Sequence, residues 1–378
     1  MMKEVDKNKK IRIVSFQNAH NFGAVCQAYG LQQTLLDLGY KDVKFYNYNP
    51  QYLKDRYDPF KLWKLPNFNV SFLHKISRIV RWYSLVLATY LRNAKFQSSI
   101  KRMLEQADKE LSKTSDFASE EADILICGSD QIWNNELTKG LDPVFFGLVL
   151  KKVGKVISYS PSTEITSLSD EIISEIAEKT THFSNISVRE QSVKEKLQPV
   201  ISQPIEVCVD PTILCNKEAY NKIASRNLVK VPYICVYAYY PNEEIVQKVI
   251  KTIPNYEWYE VHYISFTAES MNKWRDKSYH FAISVEDFIS YFKHASYIVT
   301  NSFHGLAFSL IFEKNFMVTW MDGKSSRCES LLREVGLLNR QIHDAAEAKW
   351  EELDYTQINR ELNKLQNHSR DFLIKSLA

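Results

Sequence analysis

The chain has no CxxC pair, no GxxxxGK[ST] phosphate loop, no GxSxG serine elbow and no paired His/Cys spacing. These absences argue against a metal–sulfur site, a Walker-type nucleotide loop and a serine hydrolase. The six cysteines are scattered and mostly flanked by apolar residues, so they are expected to be reduced core residues of a cytoplasmic chain. Ten glycines and eleven prolines in 378 residues are too few to suggest disorder. The longest apolar stretch, Tyr83 to Leu91, is far short of the ~20 residues a membrane span needs. Met1 to Lys10 is charged and carries no secretory hydrophobic region. Charge of neither sign dominates: 48 basic and 45 acidic residues leave +3, and no nucleic-acid partner is expected.

What is present begins with Thr300-Asn301-Ser302-Phe303-His304-Gly305. A β-rich run from Tyr297 leads in, and a helical pattern from Leu306 leads out. This is the pattern of strand, tight turn and helix start in a parallel α/β sheet. Backbone N–H groups at such a helix start attract anions, and an anion beside His304 favours its charged form. The alternative is a buried structural histidine.

The same pattern recurs along the chain. Strands are predicted over 11–16, 43–48, 123–127, 155–160, 186–188 and 206–209, with a helix from Ala24 to Leu38 stopped by Gly39. A second set is predicted at 233–239, 257–263, 281–284, 297–300 and 316–320, with a helix from Val285 to His294. The fold class is therefore α/β. Two Rossmann-like domains are expected, 1–220 and 221–345, facing across a cleft, with a helical tail over 346–378 returning to the first domain.

Lys54 to Arg102 departs from this pattern. Eleven Lys/Arg against Asp55 and Asp58 give it +9, leaving −6 for the rest of the chain. Apolar positions 72, 76, 79, 83, 86 and 90 share one helical face. Either that face covers the protein's own core, as amphipathic helices usually do, or it lies on an anionic membrane.

Several polar groups follow predicted strands. Arg189 suits a carboxylate or phosphate fork, or forms a surface ion pair with Glu190 or Asp210. Within Gly128-Ser129-Asp130-Gln131-Ile132-Trp133-Asn134, Asp130 is either a helix cap or a base for a sugar hydroxyl. Trp133 stacks on a sugar or fills core. Asn21 and Gly23 lie in a turn too short to be a phosphate loop by itself. Lys324 and Arg327 follow the strand next to His304.

Taken together, these motifs resemble the polysaccharide pyruvyl transferase family over roughly Ile11 to Leu337. The matching pieces are Asn21-Phe22-Gly23, Gly128 to Asn134, Ser187-Val188-Arg189-Glu190, Val209-Asp210-Pro211-Thr212 and Asn301 to Gly305. The resemblance implies a GT-B-like fold, phosphoenolpyruvate as donor and a sugar of a bacterial surface polysaccharide, lipid-linked or not, as acceptor. It implies no cofactor and leaves a divalent ion open. It gives Arg189 and His304 the donor, with Lys324 as a further cation. Many members carry an acid where this chain has Ala24, and Asp130 is the replacement expected as base. Arg327, Asn301, Ser302, Gly305, Asn21, Gly23, Ser129 and Trp133 complete the expected site. Two other readings stay open, a nucleotide-sugar glycosyltransferase and a non-catalytic sugar-binding relative.

Overall fold

Strands in which nearly every residue is apolar need cover on both faces, and this requirement sets the architecture. The computed structural model describes residues 6–63, 72–239, 244–265, 278–321 and 325–378. The first sheet holds β1 (Lys10–Val14), β2 (Asp42–Tyr48), β3 (Gln106–Leu111), β4 (Glu121–Cys127) and β5 (Lys152–Ser158). All its pairs are parallel, in the order β3-β2-β1-β4-β5. A parallel pair, β6 (Ile186–Val188) and β7 (Ile205–Val207), continues beyond β5. Serines bridge the junction: Ser158 Oγ donates to the Ser187 carbonyl at 3.0 Å, and Ser187 Oγ to the Ser158 carbonyl at 3.1 Å. Each hydroxyl satisfies a buried carbonyl where the ladder is interrupted.

The second sheet holds β8 (Tyr233–Tyr237), β9 (Glu260–Ile264), β10 (Tyr279–His280), β11 (Tyr297–Thr300), β12 (Asn315–Thr319) and β13 (Gln341–Ile342). Its order is β10-β9-β8-β11-β12-β13, again all parallel. Strand order reverses between β1 and β4 in one sheet and between β8 and β11 in the other. Ligands bind outside the strand ends at such reversals.

The helix Phe22–Asp37 starts where Asn21 Oδ1 accepts from the Ala24 N–H at 3.2 Å. It stops before Gly39, whose φ of +91° suits a residue without a side chain. The terminal helix Tyr355–Leu377 returns to the first domain. There Ser369 Oγ accepts from the Val209 N–H at 3.0 Å, and Lys155 Nζ donates to the Ser376 carbonyl at 3.1 Å. This is the GT-B arrangement of two parallel α/β sheets closed by a C-terminal helix. The domains share an apolar core as well as a cleft: Phe22 stacks on Phe288 with ring centroids 4.6 Å apart.

Three readings of the sequence change. Residues 281–284 are not a strand; β10 precedes them, and Ser284 instead caps the helix Val285–His294. β3 was unforeseen, because Gln106 to Leu111 is mostly polar and partly exposed at the sheet edge. The basic insertion begins with two short helices, Gln51–Tyr57 and Pro59–Leu62, and its larger part forms one long helix, Phe72–Met103. It rests on the protein through Thr89, Arg92, Phe96, Ser99 and Ile100, whereas Ile76, Tyr83 and Tyr90 of the expected core-covering stripe are exposed. The end of this helix bridges the domains, with Arg102 and Glu286 2.6 Å apart. All six cysteines are buried and free. Among the described residues no helix is long and apolar enough to cross a membrane.

Candidate functional site

His304 enters the cleft on the first turn of the helix Phe303–Ile311, directly after β11. Thr300 closes the turn. Its Oγ1 donates to the Tyr237 carbonyl at 2.6 Å and accepts from the Ser302 N–H at 3.1 Å. Gly305 is required here, since a Cβ would sit 2.1 Å from Thr300 Oγ1. Gly23 is required for a different reason: a Cβ there would sit 2.1 Å from His304 Nδ1. The glycine of the first domain's turn thus makes room for the histidine of the second. Asn301 Oδ1 accepts from the Tyr239 N–H at 2.9 Å.

Asp210 joins the two domains' chemistry. It caps the short helix Pro211–Leu214, with Oδ1 accepting from the Thr212 N–H at 2.8 Å. Its Oδ2 lies 2.7 Å from Arg189 Nη2, off the axis of an aligned hydrogen bond, and 3.8 Å from His304 Nε2. Arg189 Nη2 also donates to Ser129 Oγ at 2.7 Å, and that hydroxyl donates to the Ser160 carbonyl at 2.6 Å. The guanidinium lies over the Phe303 ring, 5.3 Å from its centroid. Arg189 and Asp210 are both buried, which rules out the surface ion pair.

Burial pulls the Asp210 carboxyl upward, but Arg189, His304 and the bonds from Thr212 outweigh it and hold it below its ordinary value. Burial lowers the His304 imidazole; Asp210 and Asp130 pull it up, and Arg189 and Arg327 push it down. The net shift is downward, so with these neighbours alone the ring is neutral at neutral pH. The imidazolium expected from the sequence therefore needs a bound anion to charge it.

Glu190 is the residue the sequence reading missed. The sequence offers it only as a surface partner for Arg189. It is buried, its Oε1 accepts from Ser162 Oγ at 2.8 Å, and its Oε2 has no partner among the described residues. Burial raises its pKa to about 7 against the pull of Arg189, Arg327 and Ser162. Glu190 lines one cavity with Arg189, Asp210, Phe303 and Arg327, whose other wall mixes apolar Leu331 and Leu365 with polar Ser330, Glu334 and Ser369. Arg327 opens the helix Ser326–Glu334 and reaches the first domain, donating to Glu164 Oε1 at 3.0 Å.

The remaining expected residues divide. Asp130 caps no helix: Asn134 caps Asn135–Thr138, while Asp130 sits in a tight turn at φ 72° with Oδ1 accepting from the Gln131 N–H at 2.8 Å. Its charge raises the pKa of both His304 and Tyr57. Trp133 cannot face a ligand; it is fully buried and stacks on Phe146 at 5.6 Å. Ser129 orients Arg189, and Asn21 caps a helix. Lys324 lies outside the described residues. Beside His20, the ends of β1 and β2 and the long helix form a polar groove lined by Asn18, Asn49, Tyr57, Tyr90 and Asn93. No three His, Cys, Asp or Glu side chains converge as a metal site among the described residues.

A family model described as polysaccharide pyruvyl transferase matches residues 21–323. No curated protein sequence matches the chain significantly. Solved structures of similar outline include a putative UDP-N-acetylglucosamine 2-epimerase from Listeria monocytogenes, at 10% identity and TM-score 0.45, covering 96% of this chain and 89% of that one. The E. coli heptosyltransferase WaaC with ADP is 10% identical at TM-score 0.40, covering 94% and 99%. UDP-GlcNAc 2-epimerase from Neisseria meningitidis bound to UDP-GlcNAc is 10% identical at TM-score 0.47, covering 97% and 98%.

Proposed function

The chain belongs to the polysaccharide pyruvyl transferase family, and from that premise we propose that it transfers the pyruvyl group of phosphoenolpyruvate to two hydroxyls of one sugar. The product is a pyruvate ketal, and phosphate is released. The acceptor is a sugar of a bacterial surface polysaccharide or its lipid-linked precursor, met at the cytoplasmic face of the membrane.

One observation carries the reading. Arg189 Nε and Nη1, His304 Nε2, Asn301 Nδ2 and Arg327 Nε are buried and have no hydrogen-bond partner among the described residues. Buried donors left unsatisfied cost about 1–3 kcal/mol each, so a group of them at the strand ends of both domains and on the helix Ser326–Glu334 suits an anion. Phosphoenolpyruvate offers a carboxylate and a phosphate together. Arg189, with Nη2 already held by Asp210 and Ser129, offers Nε–H and Nη1–H as separate charged donors to the anion. His304 gains its proton as the phosphate binds.

Glu190 protonates the donor's methylene, since it keeps a proton up to about pH 7 and lines the Arg189 cavity. The central carbon becomes electron-poor, and a sugar hydroxyl attacks it while its proton passes to Asp130. A second hydroxyl of the same sugar then attacks the same carbon, its proton passing to the now ionised Glu190, and phosphate leaves with the electron pair of the C–O bond and a proton from His304. The Asn- and Tyr-lined groove holds the acceptor, because amides and phenols match sugar hydroxyls and ring faces. Phosphate release should require both phosphoenolpyruvate and a sugar with two free neighbouring hydroxyls. Release with neither acceptor nor sugar dependence would contradict ketal formation.

A further inference from the structure

The long helix Phe72–Met103 contains seven Lys/Arg and no Asp or Glu. Its buried residues, Thr89, Arg92, Phe96, Ser99, Ile100 and Met103, lie on one side. On the opposite side Ile76, Val80, Tyr83, Leu87, Tyr90 and Leu91 form a stripe left in solvent, with Val80, Tyr83 and Leu87 63%, 63% and 58% exposed. The spacing keeps all six within about a third of the helix circumference, over roughly 22 Å of its length. Lys75 and Lys95 fall about a quarter-turn to either side of the stripe, with exposed Arg81 a little further round. Monomeric proteins rarely leave a contiguous apolar strip of this kind in water.

We infer that this face docks on an anionic lipid bilayer, the apolar stripe entering the headgroup boundary and the flanking cations meeting lipid phosphates. Both signals of an interfacial helix are present, an apolar face and basic flanks. Tyr83 and Tyr90 suit the boundary, being apolar in the ring and polar at the tip. Charge decides the occupant. A second copy of the chain would set one acid-free cationic helix against another, with no carboxylate on either helix to offset the repulsion. A nucleic acid would satisfy the cations and leave six apolar side chains in water. An anionic bilayer satisfies both. The inference does not depend on the pyruvyl reading, although Tyr90 also lines the polar groove, so docking would bring the groove to headgroup level.

The test is co-sedimentation of the full chain with vesicles of phosphatidylcholine alone or mixed with phosphatidylglycerol, at low and high salt. Binding should need phosphatidylglycerol and weaken as salt rises. Neutralising Lys75, Arg81 and Lys95 to Gln should weaken it about fivefold per residue, or about a hundredfold together. The triple variant Val80→Ser/Tyr83→Ser/Leu87→Ser should lose binding and keep its melting temperature, because these side chains touch little of the protein. No binding at low salt overturns the inference, and so does equal binding to neutral vesicles. A parent chain that is dimeric, and that the serine variant splits, would assign the stripe to self-association and overturn it equally.

Discussion

Replacing Glu190 with glutamine should cut turnover about 10²–10⁴-fold, the usual contribution of a positioned general acid, while donor affinity holds. Gln keeps the bond from Ser162 Oγ and the shape of the protonated carboxyl, but has no proton to give. The same variant has a second, independent readout. Burial raises the Glu190 pKa from 4.5 to about 7, so the folded state binds this proton more tightly than the unfolded state. Stability is therefore lost as pH rises from about 4.5 through about 7, by on the order of 3 kcal/mol once Glu190 is fully ionised. Gln does not ionise. Glu190→Gln should melt higher than the parent at about pH 8 and with it at about pH 4. Near-parental turnover would remove Glu190 from the chemistry, and equal melting at both pH values would remove its raised pKa.

Arg189→Ala should destabilise the protein by about 3–5 kcal/mol, because it strips the ion-pair partner from a buried carboxylate. The sequence offers Arg189 as an anion fork or a surface ion pair, and neither reading makes the fold depend on it. The structure changes that expectation, since Asp210 is fully buried and lies against Arg189 at 2.7 Å. Arg189→Ala with Asp210→Asn should recover much of the loss, the coupling expected of residues in contact. Arg189→Lys separates binding from folding. It keeps a cation near Asp210 and removes the free Nε and Nη1 donors, so phosphoenolpyruvate should bind about ten- to a hundredfold more weakly, the equivalent of one charge-assisted bond. Urea unfolding and donor titration read the two effects. A Lys variant that binds donor like the parent would show that Nε and Nη1 of Arg189 hold nothing.

The strand ends were legible because they carry a pattern that packing cannot disguise. β-rich runs end abruptly in polar residues or glycine at Gly128, Arg189, Asp210 and Asn301, and those are the turns that meet in the cleft. Side-chain direction was not legible. Trp133 stands three residues after Asp130 in the same motif, yet it turns inward onto Phe146. Glu190 looked like a surface acid because its burial depends on Ser162 and Arg327, far away in sequence. Gly23 gave no hint of its role, since the ring it accommodates lies 281 residues further on, in the other domain. The long helix shows the same limit: periodicity located the apolar stripe of Phe72–Met103 and left open which side the protein would cover.

Donor identity is the central claim, and calorimetric titration with phosphoenolpyruvate and with a nucleotide sugar tests it most directly. Neutral His304 and partly ionised Glu190 should each take up proton as the anion arrives. Phosphoenolpyruvate should therefore bind with proton uptake, seen as different heats in buffers of different ionisation enthalpy, and should weaken as pH rises through about 7. Binding of the nucleotide sugar with no binding of phosphoenolpyruvate would contradict the account.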